Sequence, residues 1–199
     1  MRSFWLAAAA SLFAMPAAAQ EPWQATEEWK TYPISGDSGV ELYASIGERG
    51  PKIGQEVRTI ALTKFKLTWT RKYEPQPDGS CTLTTARPRL IITYMLPKPS
   101  SPLAPDLKRK WDTFIDGVRR HEAVHGVMIK DMVKEIERVS LGLSAPADQG
   151  CTKVRAALQA KLGEISHAQR QKSSDFDRVE MSDGGNVHQL ILALVNGKQ

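Results

Sequence analysis

Apolar positions alternate with polar ones in the first half of the chain and recur every three or four residues in the second. Over residues 59–70, Ile60 and Leu62 share one phase, while Phe65, Leu67 and Trp69 share the other. That pattern predicts a strand with a bulge near Lys64. Asp78-Gly79 marks a turn within residues 75–80. A second strand region covers residues 81–96, interrupted by Pro88 and resuming at Arg89 to Met95. Residues 20–36 are polar with Trp23, Trp29 and Tyr32, and read either as a segment packed on the body or as a flexible lead. Residues 40–46 fit a strand or a short helix, ended by Gly50-Pro51. From Asp106 to about Leu141, Leu107, Trp111, Phe114, Val118, Met128, Met132, Ile136 and Val139 keep helical spacing and predict one long amphipathic helix. Val154, Leu158, Leu162 and Ile165 predict a second, over residues 152–174. Strands followed by helices place the chain in the α+β class: a small antiparallel sheet, then a long helix and a second C-terminal helix.

The long stripe has a gap between Val118 and Met128, and His121 and His125 fall in it. Residues four apart on a helix lie one turn above the other on the same face. Two imidazoles on an apolar face are costly unless paired or ligated. His121-Glu122-Ala123-Val124-His125 is an HExxH pentapeptide, in which the two histidines share a zinc ion and the glutamate is general base on the zinc-bound water. Gly117 and Gly126 bracket the motif. Each costs about 1 kcal/mol of helix propensity against alanine, so close approach by another element is expected at both.

Composition narrows the setting. Residues 1–19 read as a secretory signal peptide: Arg2 is the positive start, Trp5 through Met15 a short apolar run, and Ala17-Ala18-Ala19 a cleavage site. Residues 20–199 are expected to form one domain in the periplasm or secreted, and no other stretch approaches transmembrane length. The two cysteines, Cys81 and Cys151, then read as a disulfide. The formal charge of +5 falls by one without Arg2. Lysines and arginines look scattered, with no basic run interleaved with aromatics, so nucleic acid is not expected as a partner.

The order of motifs resembles the predicted secreted zinc-dependent protease family of bacterial envelopes. The residues carrying the resemblance are Tyr32-Pro33-Ile34-Ser35-Gly36, Glu41-Leu42, Gly50-Pro51, Thr68-Trp69, the cysteine pair, Trp111, and Arg120 leading into His121 to His125. The family's C-terminal motif runs Tyr-Asp, a short spacer, Thr, then His-Gly. This chain has Phe176-Asp177, then Glu180 near the threonine position and Asp183-Gly184 at the last pair.

Such a resemblance implies a zincin-like fold and zinc held by His121, His125 and a third ligand. Asp183 is the first candidate, since zinc accepts carboxylate oxygen. Glu180, His188 and His167 are alternatives. Asp177 is expected in an outer position, accepting from a ligand imidazole. Glu122 is the expected base, and His188 is also a candidate transition-state donor. The expected activity is that of an exported zinc endopeptidase acting on a protein or peptide. Two other readings stay open: a zinc-binding or interaction module of the envelope without catalysis, and a zinc amidase acting on cell-wall peptide.

Overall fold

The computed structural model describes residues 23–54 and 57–196, and the leader expected at residues 1–19 lies outside them. The elements run β1 (Thr26–Ile34), α1 (Gly39–Arg49), β2 (Lys52–Ile53), β3 (Val57–Arg58), β4 (Leu62–Pro75), β5 (Cys81–Pro99), α2 (Pro105–Ser140), β6 (Ser144–Ala145), α3 (Thr152–Met181) and α4 (Asn186–Asn196). The α+β class is the one expected. The sheet is mixed, however, not antiparallel throughout: its order is β1-β5-β4, with β1 parallel to β5 and β4 antiparallel to it. Because β1 is an edge strand with mostly exposed side chains, its sequence carries no clean two-residue period.

Pro88 does not break β5. At that position β5 has β4 alone as a neighbour, because the β1 ladder begins only at Ile91. The missing N–H therefore costs no ladder bond on the unpaired side. The register shift in the β4–β5 ladder falls between Lys72 and Tyr73, not near Lys64. The phase change at Lys64 needs no bulge: Ile60 precedes the strand and packs with the α1 cluster, and Leu62 pairs with Met95 on the face opposite Phe65 and Leu67.

Residues 40–46 are helical. Ser38 caps α1 by accepting from Glu41 N, and the Glu41 carboxylate turns back to accept from Asp37 N. At the start of α3, buried Asp148 accepts from the backbone of Thr152, Lys153 and Val154. The Cys81–Cys151 disulfide ties the head of β5 to the same point. α3 runs past the expected end at residue 174, to Met181, and α4 follows a short turn.

Helix α2 lies across one face of the sheet. Leu90, Ile92 and Tyr94 of β5 pack there with Ile129, Met132, Val133 and Ile136. Its first half packs with α1 and α4 through Trp111, Phe114, Val118, Leu42, Ile46 and Leu194. Both bracketing glycines are approached closely. A Cβ at Gly117 would stand 2.2 Å from Leu190 Cδ1 of α4, and one at Gly126 would stand 1.9 Å from the Tyr94 hydroxyl. Among the described residues, no helix is long and apolar enough to cross a membrane.

Candidate metal centre

The buried side of α2 divides at the histidine motif. Glu122 and Gly126 face the sheet, whereas His121 and His125 lie on the flank that meets α3, their side chains 9% and 12% exposed. This division follows from the helix period, since residue i+1 sits about 100° round from residue i. The gap in the apolar stripe thus marks the seam between two packed layers, sheet and helix.

Across the seam, α3 presents Ser173, Phe176, Asp177 and Glu180, a three-and-four spacing that puts them on one face. Phe176 stacks on the His121 ring at 4.7 Å between centroids and meets the His125 ring edge-on. Asp177 Oδ1 lies 3.1 Å from His121 Nε2 and 2.8 Å from His125 Nε2, and the two Nε2 atoms are 3.1 Å apart. His125 Nδ1 is 3.4 Å from Ser173 Oγ. On the far side of the other ring, His121 Nδ1 is buried without a hydrogen bond and has Glu180 Oε2 at 3.6 Å. Asn186 at the head of α4 donates to that same Glu180 oxygen.

Of the residues expected at the site, the structure brings three together. Asp177 stands against the Nε2 atoms of both histidines, and His121, His125 and Asp177 form a group whose donor atoms all lie within 4.8 Å of one another. Glu180 faces Nδ1, the nitrogen opposite, so it is placed to orient His121 and not to share an ion with its Nε2. Asp183 sits exposed in the turn between α3 and α4 and is not a member of the group. His188 Nδ1 accepts from Gly184 N, and His167 is exposed on α3.

The three donors fit a metal ion. Ligand atoms about 2.0–2.1 Å from a tetrahedral zinc stand roughly 3.3 Å from one another. The observed spacings of 2.8–3.1 Å need only a small expansion. Three lone-pair atoms aimed at one point repel unless protons or a cation lie between them. The charge balance of the metal-free site follows from this. Burial pushes the His121 imidazole down, but its bond to Asp177 and the nearby Glu122 charge outweigh that and raise its pKa. Burial pushes Asp177 up, and the two imidazoles overcome it, holding the carboxyl well below the usual range.

Glu122 completes the constellation from the sheet side. It is 5% exposed, and Thr63 Oγ1 of β4 donates to its Oε2 at 2.5 Å. Burial raises its pKa, against the pull of Thr63 and the two imidazoles. Thr63 was not legible as a site residue, because it reaches Glu122 only through the β4–β5 pairing that sets it beside Tyr94. Asp177 had a weak signal: it continues the α3 spacing through Gln169, Ser173 and Glu180 once the helix is extended past residue 174.

Fold and site together describe an α+β domain with a two-histidine, one-carboxylate cluster between a long helix and its C-terminal neighbour. The chain belongs to the family described as "Bacterial protein of unknown function (DUF922)", whose model matches residues 29–185. That span includes His121, Glu122, His125, Asp177, Glu180 and Asp183, and ends before α4. No curated protein and no solved structure matches the chain.

Proposed function

We propose that this domain is an exported zinc-dependent endopeptidase, with His121, His125 and Asp177 as metal ligands and Glu122 as general base. The observation that carries the reading is the convergence of two imidazole Nε2 atoms and one carboxylate oxygen, 2.8–3.1 Å apart, beside a buried glutamate. Zinc bound there would lower the pKa of its water toward neutrality and polarise the scissile carbonyl. Thr63 fixes one oxygen of Glu122, which leaves the other to take a proton from water and pass it to the leaving amine. A carboxyl whose pKa is raised by burial holds such a proton better than an ordinary surface glutamate. Glu180, held by Asn186, stands 3.6 Å from His121 Nδ1, and a small closing movement would give a ligating His121 the acceptor that its Nδ1–H needs. Asp177, its side chain 51% exposed, is the open side of the cluster and the side from which a substrate carbonyl would enter.

One observation favours a second reading, a zinc-stabilised envelope module without hydrolysis. Glu122 is 5% exposed and already engaged by Thr63, so its carboxylate would serve packing between α2 and β4. A peptide-cleavage assay with zinc-loaded protein separates the two. The peptidase reading expects chelator-sensitive cleavage in wild type, and loss of cleavage with zinc retained in Glu122→Gln. Cleavage by Glu122→Gln at the wild-type rate would sink the mechanism. Zinc binding with no cleavage by wild type would favour the module.

A further inference from the structure

The β4–β5 ribbon has a second face, turned away from α2. On it lie the cross-strand pairs Lys64/Thr93, Lys66/Ile91, Thr68/Arg89 and Thr70/Arg87. The buried clusters take Leu90, Ile92, Tyr94 and Leu96 from β5 and none of these outward residues. Strand alternation thereby gathers four exposed cations that look scattered in the sequence: Lys64, Lys66, Arg87 and Arg89. They span roughly 20 Å along the ladder, at about 3.4 Å per residue.

No carboxylate among the described residues pairs with any of the four. The two acids on the same face are engaged elsewhere, Glu28 with Lys30 at 2.8 Å and Glu74 with Lys72 at 2.6 Å. Like charges on neighbouring strands are destabilising, and no described residue offsets them here. Among the described residues this face has no complement, which suits it to an anion outside the chain.

The chemistry of the face also says which kind. Every aromatic residue of β4 and β5 points the other way: Phe65, Trp69, Tyr73 and Tyr94 pair with Ile92, Pro88, Leu83 and Thr63 on the α2 side. On β1 the ring of this phase, Tyr32, is half-buried against the α1 cluster with its hydroxyl donating to Ile60 O, so the ribbon leaves no free ring outward for a nucleobase to stack on. What remains is amines, guanidinium groups and threonine hydroxyls, which are donors for phosphate, around the half-buried Ile91 and Met95.

We infer that this face docks on an anionic phospholipid bilayer, with lipid phosphates against Lys64, Lys66, Arg87 and Arg89. The His121–His125–Asp177 cluster lies on the other side of the sheet, so docking leaves it facing away from the lipid. This inference stands whether or not the cluster binds zinc.

Cosedimentation with vesicles tests it. The probes are vesicles of phosphatidylcholine alone and of phosphatidylcholine with about one third phosphatidylglycerol, at roughly 0.1 M salt, where the screening length is about 10 Å. A basic residue near such a surface contributes about fivefold in partitioning. The full chain is expected to bind the anionic vesicles and not the neutral ones. The variant Lys64→Gln/Lys66→Gln/Arg87→Gln/Arg89→Gln should lose at least about a hundredfold. Its circular dichroism should match wild type and its melting should lie at or slightly above it, because all four side chains are exposed and their mutual repulsion is removed. Neutralising Lys153, Lys161, Arg170 and Lys172 on α3 instead should leave binding unchanged. Equal loss in that control, unaltered binding by the β4–β5 variant, or tighter binding to single-stranded DNA than to anionic vesicles would each overturn the inference.

Discussion

Gly126→Ala probes the contact on which the geometry of the site depends. The added Cβ would stand 1.9 Å from the Tyr94 hydroxyl and 2.9 Å from its Cζ. Tyr94 cannot swing aside. It is 1% exposed, stacked on Trp29 at 4.0 Å, and its hydroxyl donates to Glu27, which Lys130 of α2 also holds. Helix α2 must therefore lift from the sheet, and the lift stretches the Thr63–Glu122 bond one turn earlier on the helix. Overpacking of this kind costs about 1–3 kcal/mol, and alanine returns about 1 kcal/mol of helix propensity. With an anchored ring the upper part of the range applies, so a net loss of about 2 kcal/mol is expected, a fall in Tm of roughly 4–8 °C for a domain of this size. Thermal melts of the metal-free protein measure it. Tyr94→Phe removes the oxygen that makes the closest contact, so the double variant should recover at least about half of the loss, a positive coupling that independent sites would not show. A Gly126→Ala protein melting at or above wild type, as propensity alone would give, refutes the close approach of α2 to β5 and with it the placement of Glu122.

Other consequences concern charge, the disulfide and the outer carboxylate. In metal-free protein the raised His121 pKa adds stability below its unfolded value of about 6.5 and loses it as pH rises through the folded value, while the depressed Asp177 pKa adds stability above about 3.9 and loses it as pH falls. The Tm difference between wild type and Asp177→Asn should therefore peak between about pH 4 and 6.5; a difference independent of pH contradicts the pair. Zinc must displace the His121 proton, so its affinity should climb with pH over the neutral range, with protons released on binding in calorimetry. The disulfide closes a loop of sequence separation 70, worth about 4 kcal/mol in the chain-entropy account. Cys81→Ser/Cys151→Ser should accordingly melt roughly 8–16 °C lower, and an unchanged melt would show that the crosslink adds nothing. Glu180→Gln should keep zinc stoichiometry and weaken affinity about 10–100-fold. Loss of the ion altogether would make Glu180 a ligand.

The long helix and its two histidines were legible because a 36-residue amphipathic repeat sums many weak preferences, and the histidines fill a gap in it. Cys81 and Cys151 were legible as a pair from their even number and the secretory leader expected ahead of them, and the disulfide is formed. The third member of the cluster, Asp177, was not legible, for a reason particular to α3. That helix is amphipathic only weakly, burying just Val154 and Leu158, so its period fades after Ile165 and its end looked like residue 174. With the helix carried to Met181, Asp183 falls in the exposed turn beyond it and Asp177 becomes the residue facing α2. α4 had a readable pattern in Val187, Leu190, Ile191 and Leu194, and Leu190 is the residue that requires Gly117. The parallel strand β1 had no such signal. Its partner, β5, lies beyond the intervening helix and strands, and no local pattern encodes that crossover. The basic face of β4 and β5 escaped for a related reason: its cations stand two apart on each strand, and only pairing brings the strands together.

The most direct test of the central claim is the zinc content of purified wild type, His121→Ala, Asp177→Ala and Asp183→Ala after equilibration with limiting free zinc. A cluster of His121, His125 and Asp177 should give a single zinc per chain in wild type and in Asp183→Ala, with the ion lost or held far more weakly in the other two. A wild type that takes up no zinc, or an Asp183→Ala protein that loses it while Asp177→Ala keeps it, would contradict the account.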